Sequence, residues 1–235
     1  MLILEILLRL INSNMQKIIN IKNTIKPFNK VLNIEGDKSL SIRWALLSSQ
    51  SSGKSKSYNL LQSEDVLSTL NCLKKLGVKI KLSKNYCEIN GVGLNGYNFR
   101  KNITLNAGNS GTLSRLIMGF LVHSKNKITI KGDKSLSKRD FLRVTKPLKK
   151  FGASFYSNAG KLPITIKGTS SPTPIKYYEN KGSAQCKSAV MLAALNTDGK
   201  TIIKAKKSRD HSELLFKHLK LPIKIIKKDN FDLIE

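Results

Sequence analysis

The sequence predicts an α/β fold in which a βαβαββ-like unit is repeated three times. Three observations carry this reading. A short motif ending in aspartate opens an apparent helix at Ser63-Glu64-Asp65, Lys138-Arg139-Asp140 and Ser208-Arg209-Asp210. A second type of segment, small-residue-rich and apolar, also recurs, and its basic residues Arg43, Arg115 and Lys187 are spaced 72 residues apart each time. Runs rich in Ile and Val lie between these segments. Self-similarity at a fixed period marks an architecture in which each copy is one supersecondary unit.

The small-residue segments come first in each unit. They are SIRWALLSSQSSG at 41–53, TLSRLIMGFLVHS at 112–124 and QCKSAVMLAALNTDG at 185–199. Each has the length of a buried helix and closes on polar or glycine turn residues. The aspartate-opened helices follow. Eleven residues after Asp65, Asp140 and Asp210 stand Leu76, Phe151 and Leu221, then Gly77, Gly152 and Pro222. Acidic residues suit the positive start of a helix, and Gly or Pro just past its end is a stop signal. Strands are expected at VLNI (31–34), KITIKG (127–132), LPITIKG (162–168) and KTIIKA (200–205), and at VKI, ASF and IKI after the stops.

Composition bounds the function. The 235 residues hold 42 Lys+Arg against 15 Asp+Glu, a formal charge of +27 that favours anionic partners. With only 6% aromatic residues and no stacking motif, a nucleic-acid surface is not expected. The three cysteines, Cys72, Cys87 and Cys186, form no metal or disulfide framework, which points to a reducing, cytoplasmic setting. The three histidines are not clustered with other ligands, so neither a metal nor a cofactor is expected. The opening MLILEILLRLI is too short for a membrane span, and Glu5 and Arg9 interrupt it. Met15 is the expected start, with 1–14 an upstream extension; a membrane-surface helix is the weaker alternative.

Chemistry is concentrated where the small-residue helices begin. Gly36-Asp37-Lys38-Ser39-Leu40-Ser41-Ile42-Arg43 brings a Lys, hydroxyls and an Arg to one helix start, a grouping suited to phosphate. GDKSLS recurs at 132–137 outside the repeat register, and this copy is expected to be a turn with Lys134 structural. Asn106 to Arg115, NAGNSGTLSR, is a Gly- and hydroxyl-rich loop whose backbone N–H groups can approach a ligand. Ser183-Ala184-Gln185-Cys186-Lys187-Ser188 occupies the equivalent place in the third unit. Three cation-bearing helix starts in register predict one shared anion cleft.

With these residues in view, the chain resembles the 5-enolpyruvylshikimate-3-phosphate synthases, a family of enolpyruvyl transferases. GDKSLSIR is similar to their GDKSxSxR segment, NAGNSGTLSR to their GNAGT loop, and SAQCKSA and SRDHSE to their SAQxKSA and SRDHTE segments. The motifs stand in family order over 17–235, with Ile42 where the family often has His and Asp140 where it usually has Pro. The resemblance implies one domain of an inside-out α/β barrel, with 27–235 as a substrate-binding domain of three repeats. Residues 1–26 would be an extension plus a strand, QKIINIKN, of an otherwise absent first domain, left as a loose edge. It further implies that Lys38, Ser39, Arg43, Ser183, Gln185 and Arg209 hold shikimate 3-phosphate. Lys38, Asn109, Gly111, Arg139 and Gln185 would face phosphoenolpyruvate. The reaction so implied adds the 5-hydroxyl to C2 of the enol, protonates C3 and expels phosphate. The family's catalytic acids fall in the missing three repeats, so a separate chain is a candidate partner and turnover by this chain alone is not expected. The related transferase acting on UDP-N-acetylglucosamine shares the repeat but offers a loop cysteine, which neither Cys72 nor Cys186 matches.

Overall fold

The computed structural model describes residues 8–12, 15–20, 22–24, 26–27, 29–32 and 34–235. The chain divides into two compact units, Met1–Ile34 and Glu35–Glu235. In the first unit, β1 (Leu8–Asn12) pairs antiparallel with β2 (Met15–Ile19), with Leu8 opposite Ile19 and Asn12 opposite Met15. Two expectations change here. QKIINIKN is not a loose edge, because its unpaired N–H and C=O groups find the nearest strand-forming segment. Residues 8–12 are that segment, a strand where the weaker alternative had a helix. Val31, Leu32 and Ile34, expected in a strand, are irregular and exposed.

The second unit holds the repeats. The first comprises α1 (Lys38–Ser49), β3 (Lys54–Tyr58), α2 (Glu64–Lys75), β4 (Lys79–Leu82) and β5 (Tyr86–Asn90). The second comprises β6 (Ile103–Asn106), α3 (Gly111–Leu121), β7 (Ile128–Lys131), the one-turn α4 (Lys134–Ser137), α5 (Leu142–Lys149), β8 (Ser154–Tyr156) and β9 (Ile164–Lys167). The third comprises β10 (Lys176–Glu179), α6 (Ala184–Ala194), β11 (Ile202–Lys206), α7 (His211–His218), β12 (Ile225–Lys227) and β13 (Phe231–Ile234).

Sheet order confirms the repetition. The sheets β6-β7-β9-β8 and β10-β11-β13-β12 have the same plan, a parallel first pair followed by two antiparallel pairs. The first repeat has β3-β5-β4, which is that plan without its parallel edge strand.

The small-residue helices form the interior. Nearly every residue of α3 is buried, from Gly111 through Leu121, as are most of α1 and α6. Leu, Ile and Val side chains supply this core, each worth roughly 1.5–3 kcal/mol when fully buried. The α3–α6 approach depends on Gly119, where an added Cβ would stand 2.3 Å from the Ala189 carbonyl oxygen. The aspartate-opened helices pack outside, with α2 against α1 and α5 against α3 and α6. Their ends follow the stop signals: Gly77 and Gly152 take φ of +90° and +106°. In the third unit the left-handed residue is Lys220, at φ +53°, because proline at 222 is restricted to negative φ. The second GDKSLS is the short helix α4, not a turn. Among the described residues no helix is long and apolar enough to cross a membrane.

Candidate functional site

Side-chain caps fix where the interior helices begin. Asp37 accepts the Leu40 N–H at 2.7 Å, Ser110 the Leu113 N–H at 3.2 Å, and Ser183 the Cys186 N–H at 3.3 Å. The helix starts so fixed meet at one pocket of about 300 Å³. Lys38 and Ser39 come from the start of α1, Gly111 and Thr112 from α3, and Gln185 from α6; Asp65, Asn109, Arg139 and Arg209 complete the wall. A second concavity of about 390 Å³ shares Gln185 and Arg209 and adds Ser183, Arg143 and Lys181. The helix starts contribute partial positive charge and unpaired N–H groups, and the cations add to this field, so the pair of cavities favours anions.

The bonding within the pocket is directional. Lys38 Nζ stands 3.1 Å from Asp65 Oδ2, an internal carboxylate in the place a ligand anion would take. Arg139 Nη2 donates to Asn109 Oδ1 at 3.0 Å, and Asn109 Nδ2 donates to Asp133 Oδ2 at 2.5 Å. Arg115 Nη1 donates to Gln185 Oε1 at 3.0 Å, while Gln185 Nε2 donates to Thr112 Oγ1 at 2.8 Å. Neither Arg139 nor Arg209 has a carboxylate partner among the described residues. At Gly111 a Cβ would lie 2.7 Å from Arg115 Nη1 and 3.1 Å from Arg139 Nη1, so glycine leaves room for both guanidinium groups.

Seven of the nine predicted site residues thus line one pocket, and Ser183 lines the adjoining one. Arg43 is placed differently: it is 5% exposed and lies behind the wall. Its Nη1 donates to the Ser39 carbonyl, Nε to Ser212 Oγ and Nη2 to Ser188 Oγ. Burial lowers its pKa, and the nearby Glu213 opposes that shift. Beside it, fully buried Lys187 forms an ion pair with Glu213, whose side chain is almost as buried. Neither Lys187 Nζ nor the Glu213 oxygens have a hydrogen-bond partner apart from this contact.

Sequence reading missed three contributors. Thr112 lies within the quoted loop but carries no signal distinguishing it from its neighbours. Asp65 was visible only as a helix opener. Asp133, which caps α4 and holds Asn109, stands outside the repeat register, and its pKa is lowered chiefly by the Leu136 backbone N–H bond. Lys134 is absent from the pocket wall, as expected. Cys186 is 2% exposed, and burial raises its pKa, which makes it a poor acid or nucleophile.

A larger cavity, about 800 Å³, lies elsewhere. It is lined by Gln50, His123, Asn196 and Asp198 at or beyond the opposite ends of α1, α3 and α6. There the helix dipoles present negative ends, and none of the three helices has a basic residue in its last turn. Size and chemistry therefore disagree, and the anion site is assigned to the smaller pocket.

Comparison with known proteins identifies the family. The family model for EPSP synthase (3-phosphoshikimate 1-carboxyvinyltransferase) matches residues 22–234. The 3-phosphoshikimate 1-carboxyvinyltransferase of Ruthia magnifica is 45% identical over 201 residues, covering 83% of this chain and 46% of that one. That of Petrotoga mobilis is 42% identical over 194 residues, covering 81% and 45%. The solved EPSP synthase from Acinetobacter baumannii superposes with a TM-score of 0.78 at 32% identity, covering 86% of this chain and 46% of that structure. The chain spans about half the length of the curated relatives it matches. With the motifs, the repeated sheets and these relatives in agreement, the chain belongs to the EPSP synthase family.

Proposed function

We propose that this chain forms the shikimate 3-phosphate half-site of an enolpyruvyl transferase, working in the cytoplasm together with a second domain. The observation that carries the reading is the convergence of three interior helix starts on a pocket walled by Lys38, Arg139 and Arg209 with two carboxamides. Shikimate 3-phosphate and phosphoenolpyruvate each carry a phosphate and a carboxylate. Such groups are held best by charge-assisted bonds from guanidinium, ammonium and backbone N–H donors. Lys38, Ser39, Ser183, Gln185 and Arg209 would hold shikimate 3-phosphate across the two adjoining cavities, with Arg43 bracing Ser39 from behind. Lys38, Asn109, Gly111, Arg139 and Gln185 would face phosphoenolpyruvate.

The chemical step needs more than anion binding. Addition of the 5-hydroxyl to C2 moves its proton to a base while C3 takes a proton from an acid; phosphate then leaves with the C2–O bond electrons as C3 gives a proton to a base, restoring the double bond. Asp65 is the one carboxylate on the pocket wall among the described residues, and it is engaged with Lys38. The acid and base are therefore assigned to the partner domain, whose closure would also exclude water.

Calorimetry with shikimate 3-phosphate, without phosphoenolpyruvate, tests the reading. Saturable binding that survives raised salt and protects the chain against heat is expected. Phosphate release from the substrate pair should be undetectable with this chain alone and should appear when the other half of a relative is added. Absence of shikimate 3-phosphate binding, or robust turnover by the lone chain, overturns it.

A further inference from the structure

We infer that Arg115 is a positioning residue that fixes which end of the Gln185 carboxamide faces the anion. The inference rests on the proposed half-site for its ligand, while its geometry belongs to the protein alone. A glutamine amide can present either its oxygen or its NH₂ group, and rotation by half a turn exchanges the two. Facing an anion, the difference is between attraction and repulsion. Arg115 removes the ambiguity, because a guanidinium has only donors, so the atom it touches must be the amide oxygen. The contact is Arg115 Nη1 to Gln185 Oε1 at 3.0 Å. The NH₂ group is thereby directed to the other side, where one N–H reaches Thr112 Oγ1 at 2.8 Å. The remaining N–H belongs to a side chain that lines both cavities.

Arg115 is itself held so that it can serve as a fixed reference. Its Nη1 also donates to the Gly111 carbonyl at 3.2 Å, and its guanidinium lies 4.8 Å from the centre of the Phe141 ring. It has no carboxylate partner among the described residues. Asn109 shows the same device on the opposite side of the pocket, with Arg139 on its oxygen and Asp133 on its nitrogen. The other two cations in register with Arg115 do different work: Arg43 is bonded to hydroxyls and a carbonyl, and Lys187 is paired with Glu213.

The test is a double-mutant cycle on shikimate 3-phosphate affinity with Arg115→Met, Gln185→Ala and the double variant. Residues acting as one unit are not additive. Each single change should weaken binding by about five- to tenfold, and the double variant should be no weaker than the worse single one. Arg115→Lys, which restores a donor without the fork, should recover part of the loss. Additive losses, or unchanged affinity in Arg115→Met, overturn the inference. A second readout needs no ligand: the two side-chain amide protons of Gln185 should give separate, protected NMR signals that lose protection in Arg115→Met, and in Arg115→Lys to a smaller extent. Unchanged signals overturn the inference even if shikimate 3-phosphate fails to bind, which would count against the half-site and not against the positioning. Should Arg115→Met fail to fold, the Arg115→Lys and Gln185→Ala cycle decides the same question.

Discussion

The hexapeptide GDKSLS occurs twice, at 36–41 and at 132–137, and the two copies do different things with the same residues. Locally they agree. Asp37 caps the Leu40 N–H at 2.7 Å, and Asp133 caps the Leu136 N–H at 2.6 Å. Beyond that turn they part. The first copy continues through Ile42 and Arg43 into a 12-residue helix and sets Lys38 on the pocket wall. The second stops after 4 residues, and its contribution comes from Asp133, which grips Asn109. Identical residues thus fix the cap, whereas position in the repeat fixes which side chain reaches the pocket wall.

Five substitutions test this difference, beginning with the largest effect. Lys38→Ala removes a charge-assisted contact and leaves Asp65 alone in the pocket, so shikimate 3-phosphate affinity measured by calorimetry should fall by roughly ten- to a hundredfold. Asp133→Ala should weaken phosphoenolpyruvate binding by about fivefold, since Asn109 is released. Asp37→Ala makes a useful control: both aspartate changes should cost about 1 kcal/mol in equilibrium denaturation as lost caps. Asp65→Asn should act in the opposite direction, raising anion affinity by roughly two- to fivefold, the worth of a partly exposed ion pair. Lys134→Ala should leave affinity within about twofold and stability within about 0.5 kcal/mol. Equal losses at Lys38 and Lys134 would erase the distinction between the copies.

Much of the fold was legible because the repeat is carried by local signals. The interior helices, the glycine stops at 77 and 152, and strands β7, β9 and β11 all fall where composition placed them. The failures are tertiary. Val31, Leu32 and Ile34 have strand composition yet are irregular, because β propensity is overridden by tertiary context. QKIINIKN failed in the other direction by finding a partner in Leu8–Asn12. The pocket wall takes its cations from Lys38, Arg139 and Arg209, whereas Arg43, Arg115 and Lys187, which stand in register, are not on it. Thr112, Asp133 and the inward burial of Arg43 depend on what packs against them, and no spacing encodes that.

The pair between Lys187 and Glu213 makes the third repeat indivisible. Lys187 lies on the helix whose start builds the pocket, and Glu213 lies in the first turn of α7, beyond the strand that follows. Both side chains are almost fully buried, and Arg43 adds a further positive charge near Glu213. A chain interrupted between Ala205 and His211 would leave an ammonium stranded in the core at a cost of several kcal/mol, so α6 could not hold its place or present Gln185. By contrast, loss of residues after Leu221 would leave that charge balance intact. The pocket wall and the outer helix therefore depend on one another, and an engineered division of this protein has to keep the two on the same piece.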